Sequence, residues 1–137
     1  MDRFTRNSYP GILCAAVILL LTGLPGSCFP HVKPVIGLDK VVHIIMYAGF
    51  TFVSLWGYRE PFRERGRAYR RKALWIAIVL GIAYGALTEI MQETLIPTRT
   101  GSLYDWIADT LGSILGAIFA QFFLRGRNNL KNATLDK

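Results

Sequence analysis

Four long apolar runs, at about residues 11–29, 35–58, 73–96 and 102–124, alternate with short breaks rich in Pro, Gly or charge. Each is close to the roughly 20 residues that a helix rising about 1.5 Å per residue needs to cross a hydrocarbon core. Runs this long and nearly uncharged predict membrane-spanning helices. The first run holds TGLPGS at residues 22–27, and its Pro and Gly predict a bend or an end there. After Leu124 the sequence RGRNNLKNATLDK is polar, which predicts a frayed tail over residues 125–137. With no soluble domain, low-complexity tract or repeat, the pattern predicts one all-α transmembrane domain over residues 1–137, a bundle of four spanning helices.

Composition agrees with the pattern: 52% hydrophobic residues, 18% charged and a mean hydropathy of +0.32 are too apolar for an ordinary soluble domain. Arg3 and Arg6 ahead of the first run give it the look of a secretory or lipoprotein signal. A lipoprotein cleavage site wants Leu three residues before its cysteine, and Pro25 stands there ahead of Cys28. Residues 1–28 are therefore expected to be retained, with the run as a first spanning helix. Cys14 and Cys28 have no metal-ligand spacing and leave the redox compartment open.

The net charge of +7 and pI of about 9.8 would suggest a nucleic-acid partner in a soluble protein. In a membrane protein the distribution of charge matters more. If the N-terminus is cytoplasmic, the inside segments hold Arg3, Arg6, Arg59, Arg63, Arg65, Arg67, Arg70, Arg71, Lys72, Arg125, Arg127, Lys131 and Lys137. That is thirteen of 16 basic residues, with Lys33, Lys40 and Arg99 outside. The asymmetry predicts both termini in the cytoplasm. The basic stretch YREPFRERGRAYRRK then reads as a topology determinant touching anionic lipid head groups, not as a nucleic-acid site.

On this topology the polar residues within the runs meet at one depth. Asp39, Lys40 and His43 open the second helix, Glu89, Gln92 and Glu93 close the third, and Asp105 and Asp109 open the fourth, all on the extracytoplasmic side. Spacings of three and four put each set on one helical face. Ala108, Gly112, Gly116 and Ala120 form a stripe of small residues beside Asp109, and Gly81 and Gly85 do the same on the third helix, so backbones are expected to approach closely there. Ionisable residues inside a membrane protein are costly, which makes the layer a candidate site.

Three chemistries are open to this layer. Its carboxylates with His43 can act as general acid and base, the same groups can hold a divalent cation, and Lys40 with Arg99 can hold a lipid phosphate or the head group of a cell-wall precursor. Crowded carboxylates cannot all ionise cheaply, so compensation by Lys40, Arg99 or a cation is expected. Against these stands a structural reading in which the charges pair and cap helices, Ser102 and Asp105 having capping-box spacing. Trp56, Trp75, Tyr104 and Trp106 read as interface anchors. No motif calls for a cofactor, and no nucleophilic Ser or Cys stands in the layer.

The motifs DKVVHIIMY at 39–47, EIMQ at 89–92, Arg99, and DWIADTLGSILGA at 105–117 together resemble those of VanZ-like integral membrane proteins, over essentially the whole chain. The resemblance implies a multi-pass bacterial cytoplasmic-membrane protein of a family named for a member associated with low-level teicoplanin resistance. It carries Asp39, Lys40, His43, Glu89, Gln92, Arg99 and Asp105 over as motif residues. Many members have Asn where this chain has Asp109, a departure that adds a potential charge. Two functions follow as expectations. One is a protein whose partners are membrane lipids and a lipid-linked cell-wall precursor, which it binds or shields, altering sensitivity to glycopeptides. The other is an intramembrane acid/base or metal-assisted enzyme on a lipid-linked substrate, with His43, Glu89 and Asp105 as candidate catalytic residues.

Overall fold

A computed structural model describes residues 3–24, 37–96 and 101–135, with side chains to residue 125. The described residues form five helices and no strand: α1 (Arg3–Gly23), α2 (Leu38–Gly57), α3 (Arg59–Glu64), α4 (Arg67–Leu95) and α5 (Leu103–Leu135). Four of them, α1, α2, α4 and α5, are long and apolar enough to cross a membrane. Ile12, Leu20, Ile45, Val79, Leu87, Ile90, Leu115 and Phe122 stay exposed on the outside of the bundle, as lipid-facing side chains would be.

Three helices reach beyond the apolar runs, α1 and α4 at their starts and α5 at its end, while α2 lies within its run. α1 starts at Arg3 with Pro10 inside it, because a proline forfeits one ladder bond while Phe4 and Ser8 gain contacts with Tyr58. α4 starts at Arg67, within the basic stretch, since arginine is a good helix former and its charge is solvated there. The tail expected to fray is helical as far as Leu135, where Arg, Leu, Lys and Ala prolong α5 without a proline. α2 begins after Gly37, whose φ of 96° is a left-handed turn open to glycine.

α2 and α5 form the most extensive interface, and its basis is the small-residue stripe. A Cβ on Gly112 would overlap the carbonyl oxygen of Ile44, and one on Gly116 that of Ala48. The two backbones therefore touch where the α5 glycines meet the Ile44 and Ala48 carbonyls of α2, as the spacing predicts. The α4 glycines have a different use: Gly81 lies against Ser113 and Gly85 against Asp109, so each leaves room for a polar side chain of α5. Two ends result. At one, Ser8 bonds Tyr58 and Arg63 Nε donates to the Leu124 carbonyl, which gathers the start of α1, the α2–α3 corner and Leu124 around the basic residues. At the other, the start of α2, the end of α4 and the start of α5 come together.

Candidate functional site

The second end holds the predicted layer. His43, from the second turn of α2, faces α5, and its Nδ1 lies 2.8 Å from Asp109 Oδ1. The same nitrogen is 3.9 Å from Glu89 Oε1 of α4. Asp109 is 0% exposed and Glu89 7%. Three helices thus converge on one imidazole, because Asp39, His43 and Tyr47 share a face of α2 and Gly85 clears the space in which Asp109 sits. One turn outward, Lys40 Nζ lies 2.9 Å from Asp39 Oδ2 and 3.3 Å from Asp105 Oδ1. One turn inward, Tyr47 and Thr88 share a hydrogen bond of 2.7 Å, and the Thr88 hydroxyl lies 2.9 Å from the Gly85 carbonyl.

Several of these groups also build the scaffold. The Ser102 amide donates to Glu89 Oε2 at 2.7 Å, and the Gly101 amide donates to Glu93 Oε2 at 2.7 Å. Carboxylates of α4 therefore satisfy the free N–H groups ahead of α5, where the positive end of the helix dipole favours negative charge. The capping-box expectation holds by half. The Asp105 amide reaches Ser102 Oγ at 3.4 Å, but the Asp105 carboxylate turns to Lys40 and Glu89 takes the Ser102 amide instead. Gln92 donates to the Thr22 carbonyl at 3.3 Å and ties α4 to the end of α1. Trp106, expected at the interface, donates its indole N–H to the Ile82 carbonyl at 3.1 Å and so also joins α5 to α4.

The layer is under-satisfied at its centre. Glu89 Oε1, Asp105 Oδ1 and Asp109 Oδ2 are buried without a hydrogen bond, Asp105 Oδ1 having Lys40 at ion-pair distance but not in bonding alignment. Glu89 and Asp109 are each held through one oxygen and leave the other unbonded, whereas the unbonded oxygen of Asp105 is the one that faces Lys40. Thr51 Oγ1, Thr110 Oγ1 and Arg63 Nη2 are also buried without a hydrogen bond, but in the layer the unbonded atoms are three carboxylate oxygens gathered at one place, which calls for an explanation. A ring nitrogen of His43 and one carboxylate oxygen from each of Glu89 and Asp105 lie within 4.8 Å of one another, close enough to share one cation.

The family model described as VanZ/LLP1 matches residues 8–124, a span that includes this set of residues on α2, α4 and α5. The chain belongs to the VanZ/LLP1 family. No curated protein and no solved structure matches it. Of the motif residues of this VanZ/LLP1 chain, Asp39, Lys40, His43, Glu89, Gln92 and Asp105 come to one end of the bundle, while Arg99 lies outside the described residues. Asp109 proves to be the closest partner of His43. Sequence reasoning missed Thr88, a small hydroxyl in an apolar run, whose only signal was its place next to Glu89. A cavity of about 670 Å³ lies elsewhere, between α1, α2 and α4, lined by apolar side chains together with Arg65, Tyr69 and Lys72.

Proposed function

We propose that this VanZ/LLP1 protein carries an intramembrane acid/base site acting on the polar head group of a lipid-linked envelope component, and that this action alters sensitivity to glycopeptides such as teicoplanin. The observation that supports it is the His43–Asp109 pair at 2.8 Å with the unbonded Glu89 Oε1 facing the same imidazole nitrogen at 3.9 Å. A buried carboxylate orients the imidazole, a second carboxylate stands within reach of it, and both have acceptor capacity left for a substrate. Binding of an anionic head group by free cations has less support. Lys40 is already shared between Asp39 and Asp105, and among the described residues carboxylates outnumber cations in the layer. The charge asymmetry further supports a cytoplasmic-membrane location with both termini inside and the layer at the outer leaflet.

The test compares wild type with His43→Gln, Glu89→Gln and Lys40→Met in a bacterial strain lacking the protein. Lipid-linked envelope species are read by mass spectrometry, glycopeptide survival by dilution, and membrane abundance in parallel. Glu89→Gln keeps shape, His43→Gln keeps a polar side chain of similar reach, and both lose the proton-transfer group. They are expected to reduce both phenotypes by tenfold or more, as removal of an acid/base group does, while Lys40→Met keeps most of each. Loss with Lys40→Met alone would restore the head-group-binding reading. Reporter fusions to the basic stretch should read cytoplasmic, and a periplasmic signal there would reverse the orientation.

A further inference from the structure

We infer that His43, Glu89 and Asp105 form a binding site for one first-row divalent transition-metal cation at the mouth of the bundle. The inference rests on the acid/base reading only in sharing its residues. Three observations carry it. The ligand atoms converge, with one nitrogen and two carboxylate oxygens from three helices within 4.8 Å of one another. Metal–ligand bonds of about 2.0–2.2 Å put neighbouring ligands roughly 3–3.6 Å apart, so side-chain movements of about 1 Å close the set.

The second observation is the free acceptor on Glu89. The residue is 7% exposed, its Oε2 is fixed by the Ser102 amide, and its Oε1 is buried without a partner and directed at His43. A carboxylate held through one oxygen and open at the other is arranged as a ligand whose outer contacts are already made. Asp109 is fully buried and holds the imidazole in place through Nδ1, the nitrogen that Glu89 Oε1 also faces. The third is charge. Glu89, Asp105 and Asp109 surround one imidazole, and among the described residues the cation paired with this group, Lys40, also pairs with Asp39. A dication compensates this excess without a further side chain.

The donor set decides the class of metal. Imidazole nitrogen favours zinc, iron, nickel and copper over magnesium and calcium, and two carboxylates keep zinc and manganese within reach. With three protein ligands the cation has an open position for water or a substrate oxygen.

The full chain, purified in detergent and stripped with chelator, is to be equilibrated with Zn²⁺, desalted and assayed for bound metal, with Co²⁺ as a spectroscopic probe of nitrogen and oxygen ligation. One Zn²⁺ per chain is expected. Glu89→Gln, Asp105→Asn and His43→Gln should each weaken binding tenfold or more with helical circular dichroism unchanged. Glu93→Gln, whose carboxylate bonds Gly101 outside the cluster, should leave binding intact. If Glu89→Gln fails to fold, Asp105→Asn, at a site 16% exposed, carries the test alone. Absence of stoichiometric Zn²⁺, binding unaffected by Asp105→Asn, or binding of Mg²⁺ or Ca²⁺ in preference overturns the inference. If no Zn²⁺ binds yet Glu89→Gln still abolishes the lipid change, the metal site falls and the acid/base site stands. If Zn²⁺ binds while the lipid species never change, the reverse holds.

Discussion

Along α2, the two ends of the bundle hold the same helices together by opposite means. Near Leu55 the core is Ala77, Ala117, Ala120 and Leu124, with Phe62 of α3 closing it and Phe52 and Trp56 packed alongside. Near His43 it is Asp109, Glu89, Thr88 and Tyr47, and three of the carboxylate oxygens there lack a hydrogen bond. An apolar core needs only shape. A polar core inside a membrane must satisfy each group or have another reason to exist, since in the bilayer water is not at hand to complete the bonding. The basic end thus reads as a clamp and the polar end as a site maintained at some expense of stability.

The strongest way to break this contrast is to remove one member of the central pair. His43→Leu leaves Asp109 buried with neither oxygen partnered, and loss of one partner of a buried pair costs about 3–5 kcal/mol. The double variant His43→Leu/Asp109→Leu should regain most of that loss, because apolar replacement of a whole buried pair is often neutral or stabilising. Thermal melts in detergent would read both. A double variant no more stable than His43→Leu would show that the polar core contributes to stability as the apolar one does. Asp109→Asn keeps an acceptor for the imidazole and should stay close to wild type in stability, in keeping with the Asn that the family resemblance leads one to expect there.

A smaller loss should come from the seam that both ends share. Gly112→Leu puts a side chain against the Ile44 carbonyl, where both neighbours are helix backbone and cannot yield separately. Overpacking costs about 1–3 kcal/mol, and this site is expected at the upper limit. Since Gly112 lies three residues after Asp109, the variant should also widen the polar end and lower Zn²⁺ affinity. Gly116→Leu, one turn further toward the apolar end, should destabilise to a similar degree with less effect on the metal. Equal effects on Zn²⁺ from the two would mean that the ends are not independent.

Much of this architecture is written openly in the chain. Long, mostly apolar runs give the four spanning helices, and the i+4 stripe from Ala108 to Ala120 gives the α2–α5 seam, because both are repeated local signals that need no knowledge of a partner. Convergence of His43, Glu89 and Asp105 was legible from common depth. What sequence does not display is which carboxylate meets which donor. Asp109 as the partner of His43 depends on Gly85 leaving room on another helix, and Glu89 as a cap for α5 depends on a hydrogen bond between residues 13 apart. Ser102 and Asp105 had the local spacing for a complete capping box, yet Lys40 from α2 competes for the Asp105 carboxylate. Local pattern sets the elements, and tertiary competition among polar groups sets the site.

The smallest expected effect tests where the polar end stops. Tyr47 is 0% exposed, and its hydroxyl meets Thr88 at 2.7 Å one turn below His43. Tyr47→Phe removes that hydroxyl while the ring keeps its neighbours Phe50 and Tyr84, whose centroids lie 6.4 and 6.1 Å away. Thr88 is not stranded, because its hydroxyl still reaches the Gly85 carbonyl at 2.9 Å. Side-chain hydrogen bonds between membrane helices average about 0.6 kcal/mol, so the variant should shift the melt by that order and leave Zn²⁺ binding unchanged. A loss above about 2 kcal/mol, or a tenfold fall in Zn²⁺ affinity, would show that Tyr47 and Thr88 belong to the site. The boundary between the two packing regimes would then lie a turn deeper, and the ring contacts of Tyr47 would be the first purely apolar layer beneath it.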